Sequence, residues 1–151
     1  MEIGKKLYLN YADVWEDLGS ALYEQQDYKK AGRSFQEALR LQEQCVYVNA
    51  MTPILYYKLG DCLCQQNEFV KAEEQLKLAE NSLNKLENTN DKKKEFLPKV
   101  YDKLHWCLSN LGENRAAEAA HYRQKNPEAY NLKESSHALL IAYKPSKSHL
   151  L

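Results

Sequence analysis

Apolar and polar positions recur with a helical period along most of the chain. The stretch "ADVWEDLGSALYEQQDYKKAGRSFQEALRLQ", Ala12 to Gln42, shows it best. Trp15, Leu18 and Leu22, with Ala21 beside them, fall three and four residues apart, which predicts one apolar helical face. "QQDY" breaks the pattern, and a second face follows in Ala31, Phe35, Ala38, Leu39 and Leu41. Two helices cross closely only where small residues let their backbones meet. Gly19 and Ala31 are the small residues here, and Trp15 and Phe35 fill the flanks. The stretch is therefore expected to fold as a tight helical hairpin.

The pattern returns. In "PILYYKLGDCLCQQNEFVKAEEQLKLAENSL", Tyr56 stands for Trp15, Leu59 for Leu18, Gly60 for Gly19 and Leu63 for Leu22. Phe69 then stands for Tyr28, Ala72 for Ala31, Leu76 for Phe35 and Ala79 for Ala38, every pair 41 residues apart. "PKVYDKLHWCLSNLGENRAAEAAHYRQK" repeats it more weakly. Tyr101, Leu104, Leu108 and Ala117 lie 45 residues after their counterparts, with His105 at the small position and His121 for Leu76. These motifs resemble those of a tetratricopeptide repeat (TPR) protein, W-x2-L-G-x2-Y followed by A-x3-F. "WEDLGSAL" and "AGRSFQEAL" fit well, "YYKLGDCL" and "AEEQLKLA" moderately, "YDKLHWCL" weakly. The family's terminal Pro is missing, and the repeats are longer than its basic unit. The resemblance implies an all-α superhelix, with repeats at about 12–45, 53–86 and 98–131 within a domain of residues 1–143.

Longer helices are the simplest source of the extra residues. The Lys-rich Glu87–Glu95 segment is expected to be a mobile loop or frayed helix end. "EIGKKLYLNY" is expected either to cap the first repeat or to be the second helix of an earlier one. Asn126–Pro127 opens a capping helix expected at about 127–143, and residues 144–151 read as a tail.

Composition narrows the functions. Lys plus Arg balances Asp plus Glu at 21 each, which argues against a chain whose main task is coating nucleic acid or an anionic membrane. No apolar run reaches membrane-span length, and no signal peptide is read. Cys45, Cys62, Cys64 and Cys107 sit in apolar-periodic segments, so reduced thiols and a cytoplasmic setting, with the nucleus as alternative, are expected. Cys62-x-Cys64 has the wrong spacing for zinc, and His105 and Cys107 do not share a helical face. No phosphate loop or nucleophile elbow occurs. No enzyme, cofactor or metal is expected.

What remains is binding. The resemblance implies that the first helix of each repeat lines a concave surface. Its residues would include Glu16, Tyr23 and Glu24 in the first repeat, then Tyr57, Asp61 and Cys64 in the second. Lys99, Lys103, Trp106 and Asn110 follow in the third. Charge runs from acidic to basic along this row, and aromatics of the kind that anchor interfaces punctuate it. Lys99 and Lys103 are similar to part of the carboxylate clamp that some members use on chaperone C-termini. Glu16 and Ser20 stand where that clamp needs Lys and Asn, which argues against such a role. The chain is expected to be an adaptor or scaffold binding a peptide or helix of another protein. The alternatives are a subunit of a larger assembly that self-associates through repeat edges or terminal helices, and a regulatory module of an enzyme or nucleic-acid-associated factor.

Overall fold

The computed structural model describes residues 2–44 and 50–126. Within them lie six α-helices: α1 (Glu2–Glu24), α2 (Tyr28–Glu43), α3 (Met51–Gln65), α4 (Phe69–Asn84), α5 (Asp91–Ser109) and α6 (Ala116–Lys125). A short 3₁₀ turn, Glu113–Arg115, precedes α6. The architecture is all-α, as the sequence implied. Each helix packs on its neighbour in the chain, and α3 also touches α5. Three hairpins therefore stack in order. The capping helix and tail expected beyond residue 126, and Cys45, lie outside the described residues.

The first two hairpins are built alike. Gln26 and Asn67, 41 residues apart, both adopt the left-handed conformation (φ 62° and 61°) that ends a helix. In both turns an amide closes back on the preceding helix, Asp27 N–H to Leu22 O and Glu68 N–H to Leu63 O, each at 2.9 Å. The close crossings fall where the small residues do. A Cβ on Gly19 would lie 2.6 Å from the Phe35 ring, and one on Gly60 would lie 2.7 Å from Leu76 Cγ. Ala31, Ala72, Phe35, Leu76, Ala38 and Ala79 are all buried.

The third hairpin follows a shifted register. Ala117 and His121, expected inside, are exposed, and Ala119 and Tyr122 are buried instead. The reason is size. His105 cannot accept a large residue opposite it, so the helix slides until Ala119 faces it, with His105 Nδ1 2.9 Å from the Ala119 carbonyl. Large and small have exchanged places across the crossing.

Two further expectations are corrected. Asp91–Glu95 is neither loop nor frayed end but the first turn of α5. Asn90 caps it by accepting from Lys93 N–H at 3.0 Å. The Lys93 ammonium turns back to the Leu86 carbonyl (3.0 Å) and Asn88 Oδ1 (2.9 Å). Pro98 consequently lies inside α5, whereas its counterpart Pro53 sits in the first turn of α3, where no amide is needed. The N-terminal segment is neither a separate cap nor an earlier second helix, because it runs straight into α1.

The apolar face expected on α1 is only partly buried: Leu22 packs against the Ala31 and Phe35 cluster, but the rest is open. Trp15 is 37% and Leu18 45% exposed, while Ala12 and Gly19 carry the contact with α2. In the second and third hairpins that face is covered by the second helix of the repeat before. No described helix precedes α1.

Candidate binding groove

The first helices α1, α3 and α5 form one row, and polar side chains tie them together. Lys58 of α3 reaches back to Glu16 of α1 at 2.7 Å. Lys103 of α5, one repeat later, reaches back to Asp61 of α3 at 2.8 Å. The two lysines occupy matching positions, while Asp61 matches Ser20, to which Lys58 also donates at 3.5 Å, one turn beyond Glu16. Asp61 also accepts from the Tyr23 hydroxyl at 2.8 Å. It is nearly buried, and a buried carboxylate persists only when paired and hydrogen-bonded. Backbone staples recur at the other end of these helices. Gln66 Nε2 donates to Tyr28 O at 3.4 Å, and Cys107 Sγ donates to Phe69 O at 2.9 Å.

Between α1, α3 and α5 a pocket of about 280 Å³ opens. Phe35 and Phe96 stand at its base, Tyr23 and Tyr57 along its walls, and Glu24 and Lys99 at its rim. Tyr57 meets the Phe96 ring edge-on, with centroids 5.7 Å apart. Lys99 lies 4.8 Å above the same ring and 3.8 Å from Glu95. Burial, aided by the Asp61 carboxylate, pushes the Tyr23 hydroxyl well above its ordinary range. Burial does the same to Tyr57, with Asp61 again adding to it. Both walls are therefore neutral phenols. The Tyr23 proton is committed to Asp61.

The residues singled out from sequence thus divide. Tyr23, Glu24, Tyr57, Asp61 and Lys99 line one pocket. Glu16 and Lys103 are engaged in the crossings between helices. Trp106 packs edge-on against Phe69, 6.1 Å between centroids, with the Lys103 ammonium 4.8 Å over its ring. It stands one step along the row, outside the pocket. Asn110 caps α5, its amide donating to Trp106 O at 2.8 Å. Cys64 is fully buried and presents nothing to the surface. The expected gradient from acid to base is largely cancelled inside the array, and Glu24 and Lys99, the latter beside Glu95, remain at the lining of a single pocket.

Sequence reading missed Phe96 and Lys58. Phe96 fell in the segment assigned to the linker, although Asn90 followed by Asp91 is a helix-start signal that would have drawn it onto α5. Lys58 falls between the groove-facing positions of its helix, and its reach back to Glu16 depends on the stacking of helices.

Cys62, Cys64 and Cys107 are free, buried thiols. Burial, with the Asp61 charge nearby, raises Cys62 to about 12. Among the described residues no three His, Cys, Asp or Glu converge as a metal site, and no helix is long and apolar enough to cross a membrane.

The sequence profile of the tetratricopeptide repeat family matches residues 10–85, from α1 through α4. Comparison with curated proteins gives no match.

Proposed function

Since the chain belongs to the tetratricopeptide repeat family, whose repeats mediate protein–protein interaction, we propose that it is an adaptor that binds a segment of another protein across α1, α3 and α5. One observation carries this reading: the aromatic pocket between Tyr23 and Tyr57, floored by Phe35 and Phe96 and rimmed by opposite charges. One wall is held by the Tyr23–Asp61 hydrogen bond and the other by the Tyr57–Phe96 ring contact, which favours a site formed before a partner arrives, with little ordering cost on binding. The complementary segment carries an aromatic or branched aliphatic anchor. A basic side chain beside the anchor meets Glu24, and an acidic one meets Lys99. Such anchors in desolvated pockets carry most of the energy of an interface.

The test is selection of displayed peptides on the full chain, with counter-selection on a Tyr57→Ala, Lys99→Glu variant. The expected peptides combine an apolar anchor with flanking charges of both signs. They bind the variant at least about thirtyfold more weakly, as loss of a roughly 2 kcal/mol anchor requires. Peptides that bind both proteins equally, or that shift backbone resonances of α2 and α4 rather than α1, α3 and α5, would overturn the reading.

A further inference from the structure

The outer face of α1 carries a second surface. Gly4, Leu7, Tyr11, Val14, Leu18 and Ala21 are spaced three, four, three, four and three residues apart. That is the spacing of a helix–helix seam. Leu7 is 51%, Tyr11 58%, Val14 62% and Leu18 45% exposed, and a Cβ built on Gly4 would touch nothing. The same register positions are closed elsewhere in the chain. Val14 and Leu18 correspond to Leu55 and Leu59 on α3, at 0% and 8%, and to Val100 and Leu104 on α5, both at 0%. In each of those cases the preceding second helix, α2 or α4, lies on them. The α1 face is thus a stacking surface of the same type that no described helix covers.

We propose that a second copy of this chain covers it, the two α1 helices packing antiparallel about a two-fold axis. The order of side-chain sizes selects this occupant. The seam reads Gly, Leu, Tyr, Val, Leu, Ala, so when it is reversed on itself the small ends meet, Leu meets Leu and the bulky Tyr meets the smaller Val. An isologous interface demands a self-complementary patch. Antiparallel pairing of α1 with itself sets Leu7 against the other copy's Leu18 and Tyr11 against its Val14, with Gly4 opposite Ala21. A parallel pair would instead set Tyr11 against Tyr11 and leave Gly4 opposite Gly4. The seam is about five turns of a single helix pair, which places the interface at the small end of specific contacts. The dimer is therefore expected to be reversible. It leaves the groove open on both copies, because Tyr23, Tyr57 and Lys99 belong to a different side of the row.

Light scattering of the full chain over a concentration series, with Leu7→Cys and Leu18→Cys variants for cross-linking, tests this. The mass rises from 17.6 kDa toward twice that value and no further. Val14→Glu weakens association by roughly a hundredfold or more, since it buries an unpaired charge at the centre of the seam, and it leaves helical content unchanged because the site is exposed in the single chain. A mixture of the two cysteine variants forms a disulfide joining positions 7 and 18 of different copies, whereas either variant alone does not cross-link through its new cysteine. A monomer at every concentration, growth beyond the dimer, a dimer indifferent to Val14→Glu, or cross-linking of position 7 to itself would each overturn the proposal.

Discussion

Three glycines on helices separate two uses of the same residue. Gly19 and Gly60 sit where another side chain already occupies the place of a Cβ, whereas the Cβ position of Gly32 lies 3.6 Å from Cys62 Cβ, an ordinary contact. Gly32→Ala therefore gains helix propensity without strain and is expected to stabilise the fold by about 0.5–1 kcal/mol. Gly60→Ala drives a methyl into Leu76, which is fully buried and has nowhere to go, and costs about 1–3 kcal/mol beyond that gain. Urea melts of the two variants should move in opposite directions. A shift of both to higher stability would show that the crossing is looser than its geometry. Titration adds a second expectation at this scale. Tyr23, Tyr57 and Cys62 are raised when folded, chiefly by burial, so each holds its proton more tightly in the native state than in the unfolded one. Their contribution is complete below the ordinary values, 9.0 for the thiol and 10.0 for the phenols, and is lost as pH rises toward the folded values. The melting temperature is expected to fall steadily above about pH 9, and Tyr57→Phe should blunt the decline. A decline of equal steepness in that variant would place its cause elsewhere.

Helices, rather than residues, decide where the charges go. The crossings Lys58–Glu16 and Lys103–Asp61 run from one first helix to the one before. Lys103→Met keeps the stem but leaves Asp61 with only the Tyr23 hydroxyl, at an expected cost of about 2–4 kcal/mol. Adding Asp61→Asn should recover most of that loss, because the uncompensated charge disappears with it. Chemical denaturation of the two single variants and the double variant measures the coupling, and simple additivity would show that the pair is idle. These crossings also mark how far sequence reading could reach. The hairpins were legible because Gly19 and Gly60, or Phe35 and Leu76, are contacts within one repeat and recur at fixed spacing. Asp61 and Lys103 read as groove charges, since nothing in a linear pattern shows which helix a long side chain will cross to. The third hairpin misled for a related reason. His105 was seen as a substitution at a small position, but its consequence, the slide that brings in Ala119 and Tyr122, is a response of packing rather than of pattern. Phe96 was lost with the start of α5, because Asn90 and the turn it caps fall between the recurring positions of two repeats.

At the scale of the whole molecule, contacts run almost entirely between successive helices. The bonds that join hairpins link helices in matching positions of neighbouring hairpins. The crossings tie α1 to α3 and α3 to α5, while Arg115 of the 3₁₀ turn with Glu73 and Tyr122 of α6 with Glu80 tie the last hairpin to α4. Stability in such an array is close to a sum of hairpin and neighbour terms. Among the described residues no extensive contact joins the first hairpin to the last and locks the row against bending. The array is in that sense an elastic coil rather than a block. A small rotation at each junction adds along the row, so the spacing between Glu24 and Lys99 changes with curvature while every hairpin keeps its shape. A partner seated across α1 and α5 would set that curvature, and its grip would be felt as tension by whatever is attached at either end.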